Sequence, residues 1–599
     1  MARPPKYKIH PAIGIARLGD PAAAHFIGPE IPGIPALAPS PGKTLPEYKD
    51  GGKIKPQAAR FHVYEYLDKG GTYEVSREID LTQKDVGVLR WGVHLANRKA
   101  SFFNFDGLAG FDRRTAGKRN AGVTNRKKLE IDPGMRFIAG ASKGPEHFTS
   151  KNPAKERWPD PKPVPEITTL GRLLTDGDGR LMVLGGSGQS VSLPLAAAIA
   201  DYANNDGWFD DVSDGPVIAF LRINGKVVDV EPGWVICSPP DFAPSVTNVI
   251  TLYDVLYDIA ARELSLPKNE ATYANGGKLE RLAVLNADFK ANKGKALTKY
   301  KPDFDTEIYP ILARAANMSF VYAPSTGSFH STLNPAIWPL LASIDPKNKS
   351  TRNMFFNFLR PPDLAKGTGK PDMPKLLGDE PYNDPKVGGW HQRARATLTI
   401  TQYEMMKRWV DGKFLGSSGA PGPLPLPQPI TPEGLDRSAL EACVGAAMYP
   451  GIEVSWQIRF KQIFKEPFRI KHGAASPYPG DKPGVIRAGH FTRQMALPWQ
   501  ADFRQCKMET ATLAPFAGDW GWWPAQRPDS VYASKADQAA GNPMVLWHRS
   551  TKGGVPQNWV SGGTQPNDVE MMANWKKFGF VIDQGGGVYI EQERAPDIP

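Results

Sequence analysis

The chain has 599 residues, a net charge of +11 and only three cysteines, at positions 237, 443 and 506. This length suggests several domain-sized units, and the hydrophobic fraction of 41% is ordinary for a globular protein. Three cysteines without a C-x-x-C pair exclude a disulfide framework, a zinc knuckle and a c-type haem attachment site. The basic residues between 113 and 128 stand among Gly, Asn and Thr without an aromatic platform. We therefore predict a solvated loop there and no nucleic-acid binding.

The sequence gives no sign of a membrane-bound protein. Its first residues lack the apolar stretch of a signal peptide, and no run of about 18 apolar residues could span a bilayer. We expect a soluble protein without a membrane partner, cytoplasmic by default. Secretion without a conventional signal peptide stays open.

Residues 1–245 have the pattern of a β-rich domain. Short apolar or alternating runs predict strands at 61–67, 99–105, 180–184, 217–223 and 226–230. Asn224-Gly225 separates the last two runs, which predicts a two-residue hairpin. One helix is predicted at 193–203. The glycine-rich residues 185–189 and the acidic residues 206–214 are predicted to be turns, because they lack the spacing of a dinucleotide site and of a Ca²⁺ loop, respectively.

Residues 246–430 are predicted to form a mainly helical and loop segment. Apolar residues at three-to-four spacing predict helices at 252–264, 308–318 and 336–344. Thr401 followed by Glu404 has the form of a capping box, which predicts a helix from there to Gly412. Residues 431–599 form a third, aromatic-rich unit, although 246–599 could equally be one domain. The predicted fold class is α+β, with a β-rich N-terminal part and a mixed helical, loop-rich C-terminal part that carries the functional site.

One segment near the C-terminus combines a carboxylate, a cysteine and several tryptophans. Asp502 precedes Cys506 by four residues, so a helix would place both side chains on one face. A neighbouring carboxylate raises the pKa of a thiol, which disfavours a cysteine hydrolase that uses Cys506. From these residues alone a buried core cysteine is the favoured interpretation. A non-catalytic β-rich binding protein with exposed tryptophans stays open.

Blocks of sequence along nearly the whole chain shift the interpretation of Cys506 from a core residue to a functional one. They resemble the family of L-lysine ε-oxidase and glycine oxidase, the amino-acid oxidases whose cofactor is cysteine tryptophylquinone (CTQ). The blocks are IHPAIGIARLG at 9–19, FIGPE at 26–30, GWFDDVSDGP at 207–216, PPDFAP at 239–244, TLYD at 251–254, LTITQY at 398–403, CVG at 443–445, YPGIE at 449–453, WWPAQRP at 522–528 and NWKKFGFV at 574–581.

The resemblance implies that the chain makes its own cofactor, CTQ, by cross-linking Cys506 to Trp575. Six tryptophans follow Cys506, so the choice of Trp575 rests on its sequence block. Residues 568–579 are predicted to be a helix with Trp575 in its C-terminal half. Asp502 matches an aspartate that the resemblance implies in cofactor formation and as the catalytic base.

The remaining expectations also come from the resemblance. Cys443 matches a second cysteine near the active site, with a small buried residue as the alternative. His548 and Tyr253 are candidate pocket residues. Independently of the resemblance, the ten histidines lack paired ligand spacing, so no metal is expected. Trp520 stands where the lysine-oxidising branch has a lysine, so the substrate stays open.

The activity implied is that of a quinone-dependent oxidoreductase. It would deaminate a free amino acid with O₂ and release the oxo product, ammonia and hydrogen peroxide. A separate flavoprotein is implied as the maturation partner, and we expect a homo-oligomer. An inactive relative without mature cofactor is the alternative.

Overall fold

The computed structural model describes most of the chain. The described residues are 3–37, 47–102, 119–149, 167–192, 199, 204–323, 333–362, 373, 397–422, 427–445, 454, 457–476, 484–503, 526–547 and 574–596. In this described part, every helix is too short or too polar to cross a membrane.

Strands are concentrated in the first 240 residues. In chain order they are β1 Lys6–His10, β2 Ile13–Arg17, β3 Phe26–Ile27, β4 Lys49–Asp50, β5 Lys53–Ile54, β6 Gln57–Lys69, β7 Thr72–Ile79, β8 Val86–Val93, β9 Arg136–Ala139, β10 Glu146–Thr149, β11 Thr169–Thr175, β12 Leu181–Gly185, β13 Ser190–Ser192, β14 Trp208–Asp210, β15 Ser213–Ile223, β16 Lys226–Val228, β17 Val230–Glu231, β18 Gly233–Ser238, β19 Phe464–Glu466, β20 Arg469–Ile470, β21 Ser530–Val531, β22 Val545–Leu546, β23 Phe580–Asp583 and β24 Tyr589–Gln592.

Most helices of the described residues lie in the middle of the chain. The helices are α1 Leu252–Arg262, α2 Glu280–Ala291, α3 Tyr309–Asn317, α4 Trp338–Ala342, α5 Lys349–Phe356, α6 Ile400–Val410, α7 Pro432–Glu441 and α8 Lys535–Ala540. A π-helical turn, Phe304–Ile308, leads directly into α3.

Among the described residues, 14 strands form one mixed sheet with the order β10-β11-β12-β6-β2-β18-β15-β8-β9 along its main path. Strands β1, β3 and β7 add to β6, β16 adds to β15, and β17 pairs with β1. The parallel pair β2–β18 lies in the middle, so both strands are buried along their length.

Most strand predictions are confirmed. Runs 61–67 and 180–184 lie in β6 and β12, apart from Arg180, which just precedes its strand. The hairpin is also confirmed, because Asn224 and Gly225 adopt φ angles of 47° and 76° between β15 and β16. Most of the helix predicted at 193–203 lies outside the described residues.

The strand predicted at 99–105 is wrong for its described part, residues 99–102, which form a turn. The Asn97 side chain accepts a hydrogen bond from the Lys99 backbone at 3.0 Å, and Ser101 donates to the Arg98 carbonyl at 2.9 Å. These local bonds satisfy groups that a strand would need for its ladder. The turn directs the Lys99 ammonium into the protein interior, where it is 0% exposed.

The three helices predicted from apolar spacing are confirmed, as α1, α3 and the shorter α4. The predicted cap of α6 is wrong, because the N-cap is Thr399 and not Thr401. The Thr399 hydroxyl accepts from the Gln402 amide, and the Gln402 side chain accepts from the Thr399 amide. Glutamine serves at the third helical position as well as glutamate does, which places the capping box two residues earlier.

The large sheet separates two apolar cores. On β18, Trp234 and Ile236 face a core shared with the helices, whereas Val235 and Cys237 face a core inside the β-rich part. This alternation follows from the two-residue period of a strand. The fold is thus α+β, with a large N-terminal sheet and a helical, loop-rich C-terminal part, as predicted. The domain boundaries at 245 and 430 stay predictions.

Candidate active site

Trp575 lies buried at the start of the last β-hairpin. It begins a short 3₁₀ turn, Trp575–Lys577, so the helix predicted to continue to Gly579 is wrong in its last residues. The Ala595 amide donates to the Lys577 carbonyl at 2.9 Å, and the Val581 amide donates to the Phe242 carbonyl at 2.8 Å. These bonds end the helical path early and fix the segment against the rest of the protein.

The ring of Trp575 meets the ring of Trp499 edge-on. Their centroids are 4.9 Å apart and their planes differ by 76°. Trp499 opens the 3₁₀ turn Trp499–Phe503, whose backbone includes Asp502. The structure therefore brings the turn that contains Asp502 beside Trp575.

Two of the predicted site residues, Cys506 and His548, lie outside the described residues. Cys506 follows the end of the Trp499–Phe503 turn by three residues. The side chain of Asp502 is also outside the described residues, so its sharing of a face with Cys506 stays a prediction.

The buried carboxylate of Asp210 fixes the start of the turn. Its Oδ2 accepts from the Trp499 backbone amide at 2.8 Å and from Lys99 Nζ at 2.5 Å. Both charged side chains are 0% exposed. Burial lowers the pKa of Lys99 to about 8, although the Asp210 charge acts in the opposite direction. A buried ion pair thus replaces the polar turn expected from the acidic segment.

The neighbouring carboxylate, Asp211, holds the glycine-rich loop 186–189. Its Oδ2 accepts from the backbone amides of Ser187 at 2.7 Å and Gln189 at 3.0 Å. Its Oδ1 has no hydrogen-bond partner among the described residues. Burial, together with the charge of Asp210, raises the pKa of Asp211 to about 7, although the two amide hydrogen bonds act in the opposite direction.

The loop 186–189 touches both tryptophans. Gly188 has a φ of 77°, and a Cβ atom there would lie 2.4 Å from Trp575 Cζ2 and 3.5 Å from Trp499 Cζ2. Gln500, in the Trp499–Phe503 turn, donates from Nε2 to the Gly188 carbonyl at 2.9 Å. One hydrogen-bonded frame therefore connects the loop, the turn and Trp575.

Cys443 lies beside Arg17 at the end of β2. The Cys443 side chain is 2% exposed, and Arg17 Nη2 lies 3.7 Å from its Sγ atom. Cys443 and Trp575 belong to the same large apolar core. Its predicted place near the active site stays a prediction.

Cys237 packs against Gly185, the residue that precedes the loop 186–189. A Cβ atom on Gly185 would lie 3.0 Å from Cys237 Cβ, so the cysteine is in close contact with the end of β12. Burial raises the pKa of Cys237 to about 12, which keeps it a neutral thiol. Its role in the described structure is packing.

Tyr253 lines a separate cavity of about 250 Å³ between α1, α2, α3, α6 and α7. Its ring stacks on Phe468 at 5.1 Å, with Arg437 lying 5.4 Å from its centroid. Trp575 is not among the described residues that line this cavity. The role of Tyr253 as a pocket residue stays a prediction, and this geometry does not place it beside Trp575.

The sequence reasoning missed the residues that support the site. The sequence patterns place Lys99 in a strand and Asp210, Asp211 and Gly188 in turns. The signal available was the block GWFDDVSDGP, in which two aspartates follow a tryptophan and a phenylalanine. Carboxylates flanked by large apolar residues suggest burial, but their partners are distant in sequence. Within the described residues, no cluster of His, Cys, Asp and Glu has the form of a metal site.

Comparison with known proteins identifies the class of this fold. Two structures of the L-Lys ε-oxidase from Marinomonas mediterranea superpose with a TM-score of 0.70 at 23% identity, over 98% of this chain and 95% of each of theirs. One of them is described as the Schiff base intermediate with L-Lys. The fold of the chain is therefore that of an L-Lys ε-oxidase.

Sequence comparison leads to the same group. Residues 10–237 match the family described as L-lysine ε-oxidase N-terminal, and residues 376–523 match the L-lysine ε-oxidase C-terminal domain. The L-lysine 6-oxidase of Marinomonas mediterranea is 28% identical over 567 residues, which cover 84% of this chain and 72% of that protein. The chain belongs to the L-lysine ε-oxidase family. Asp502 and Cys506 lie inside the matched C-terminal region, and Trp575 lies beyond it.

Proposed function

We propose that the protein is an amino-acid oxidase whose cofactor is a cysteine tryptophylquinone formed from Cys506 and Trp575. The family relationship supports an oxidoreductase that acts on an amino acid. The observation that carries the cofactor proposal is the position of Trp575, which lies buried against the turn that precedes Cys506. The spacing of three residues between that turn and Cys506 is compatible with a bond from sulfur to the indole.

The residues around Trp575 fit such a group. Two neighbouring carbons of its six-membered ring, Cζ2 and Cη2, face Gly188, where no side chain fills the space. An ortho-quinone needs two adjacent ring carbons with room for oxygen atoms. Glycine leaves the outer side of these two carbons free of a side chain, while Trp499 contacts the ring from another side.

When formed, the quinone supplies an electrophilic carbonyl and accepts the two electrons that leave the substrate. The amine-bearing carbon loses one proton and two electrons, the amine nitrogen loses a second proton, and water provides the oxygen of the oxo product as ammonia leaves. O₂ takes up the two electrons and two protons to give hydrogen peroxide.

The residues of the chain orient the reaction and carry its protons. We assign the proton acceptor to the Asp502 carboxylate, because the turn that contains it begins at the tryptophan touching Trp575. The buried pair of Lys99 and Asp210 fixes the start of this turn through the Trp499 amide.

A separate flavoprotein is the proposed maturation partner, and the assembly proposed is a homo-oligomer. Lysine is the first substrate to test, because the 28% identical relative is an L-lysine 6-oxidase. Trp520 in place of a lysine favours an additional screen of the other free amino acids.

The proposal is tested by measuring peroxide and ammonia release from protein co-produced with the flavoprotein, across the common amino acids. We expect equal amounts of both products with at least one amino acid. The variant Trp575→Phe should release neither product. The control is Trp338→Phe, which changes a tryptophan of α4 that packs on Tyr309 and should retain activity. Peroxide release by Trp575→Phe at the wild-type rate would contradict the proposal.

A further inference from the structure

The backbone at position 188 lies so close to Trp575 that only glycine fits there. A Cβ atom at this position would lie 2.4 Å from Cζ2 and 2.5 Å from Cη2 of the indole. Real Cβ atoms essentially never approach another atom within 3.0 Å. The φ angle of 77° also favours glycine, so two separate constraints act on this one residue.

The approach is toward the edge of the indole ring and not toward its face. After Cζ2 and Cη2, the next-nearest atom to the Cβ position is Trp499 Cζ2 at 3.5 Å. All other atoms of Trp575 are therefore no closer than that. A position above the ring face would be nearly as close to the next two ring carbons. Gly188 therefore lies on the outer side of the Cζ2–Cη2 bond.

The loop is fixed at this distance by hydrogen bonds on both sides of Gly188. Ser187 and Gln189 donate their amides to Asp211, and Gln500 donates to the Gly188 carbonyl. Asp211 is itself buried, as is the end of β12 that leads into the loop. Moving the loop away from Trp575 would break these hydrogen bonds, of which the one to the Gly188 carbonyl is fully buried.

We propose that Gly188 is a positioning residue that keeps the Cζ2–Cη2 edge of Trp575 open for the two oxygen atoms of the quinone, with Asp211 and Gln500 holding it there. This inference rests on the proposed function. A carbonyl oxygen extends about 1.2 Å from its carbon, so an oxygen on either carbon would point into the space that a Cβ atom would occupy. A methyl group at residue 188 and two oxygens on that edge cannot occupy the site together.

The test is the substitution Gly188→Ala, with Gly225→Ala as its matched control. Gly225 has a φ of 76° and no atom within 4 Å of its Cβ position, so it reports the backbone strain alone. Both variants are co-produced with the flavoprotein, and the mass of the peptide that contains Trp575 is measured. We expect the fraction carrying two added oxygens to fall roughly tenfold or more in Gly188→Ala and to stay at the wild-type level in Gly225→Ala. Wild-type levels of oxygenation in Gly188→Ala would overturn the inference and leave the proposed function standing.

A second measurement uses the wild-type protein, in case Gly188→Ala does not fold. Amide hydrogen exchange is compared between protein made with the flavoprotein and protein made without it. New oxygens facing the loop should change the exchange rate of the peptide that spans residues 186–190. An unchanged rate in protein with confirmed oxygenation would overturn the inference. Wild-type protein without added oxygens on Trp575 would instead contradict the proposed function, and the inference with it.

Discussion

Replacing Asp211 with asparagine should make the stability of the protein less dependent on pH. Asparagine has nearly the same shape and keeps an oxygen for the amides of Ser187 and Gln189. It differs from aspartate in having no charge. Because the carboxylate is fully buried and its Oδ1 has no partner among the described residues, the ionised form is the one that this site disfavours.

The size of the effect follows from the two pKa values of Asp211. Burial, together with the Asp210 charge, raises the pKa to about 7 in the folded protein, against an ordinary value of 3.8. The folded protein therefore keeps this proton at pH values where the unfolded chain has lost it. The resulting stability is fully present below pH 3.8 and is lost as the pH rises through 7. Between pH 5 and pH 8 the loss is about 3 kcal/mol, at roughly 1.4 kcal/mol for each pH unit up to the folded pKa.

The assay is urea unfolding of the wild type and Asp211→Asn at several pH values between 5 and 8. Asp211→Asn should gain stability relative to the wild type as the pH rises, by about 3 kcal/mol across this range. The exposed Asp229→Asn is the control and should follow the wild type throughout. A difference between Asp211→Asn and wild type that is the same at pH 5 and pH 8 would refute this account of Asp211.

Three further substitutions test the frame around Trp575 and the helix cap. Lys99→Met leaves its carboxylate partner buried without a cation and should lower the free energy of unfolding by about 3 kcal/mol in urea titrations; a loss below about 1 kcal/mol would contradict the buried pair. Gln500→Ala should increase amide hydrogen exchange of residues 186–190, and unchanged exchange would show that the side chain does not hold the loop. Thr399→Ala should destabilise by about 1 kcal/mol through loss of the α6 cap, measured by thermal unfolding against Thr401→Ser, which should have the smaller effect. Equal or reversed effects would contradict the assigned cap.

Local patterns in the sequence were sufficient where neighbouring residues determine the structure. Asn224-Gly225 predicted its hairpin because both residues tolerate positive φ angles, and the apolar spacing of 252–264 predicted α1 because one helix face packs into the core. The α6 cap was misplaced because threonine occurs at both 399 and 401, and only the structure shows which hydroxyl binds the third amide.

The candidate site could be predicted from sequence only in part. The resemblance gave Trp575 and Asp502, and the structure brings the turn containing Asp502 beside the Trp575 ring. The sequence could not predict the pair of Lys99 and Asp210, because these residues are 111 positions apart and meet only after the sheet has formed. Nor could it distinguish Gly188 from the other glycines in turns, because the need for glycine there comes from a tryptophan near the end of the chain.

The central claim is that Cys506 and Trp575 share one quinone cofactor. The most direct measurement is peptide mass spectrometry of the wild-type protein, co-produced with its flavoprotein partner and digested with a protease. Our account predicts one cross-linked pair of peptides, containing both residues and two added oxygen atoms. Two separate peptides, with Cys506 and Trp575 both unmodified, would contradict it.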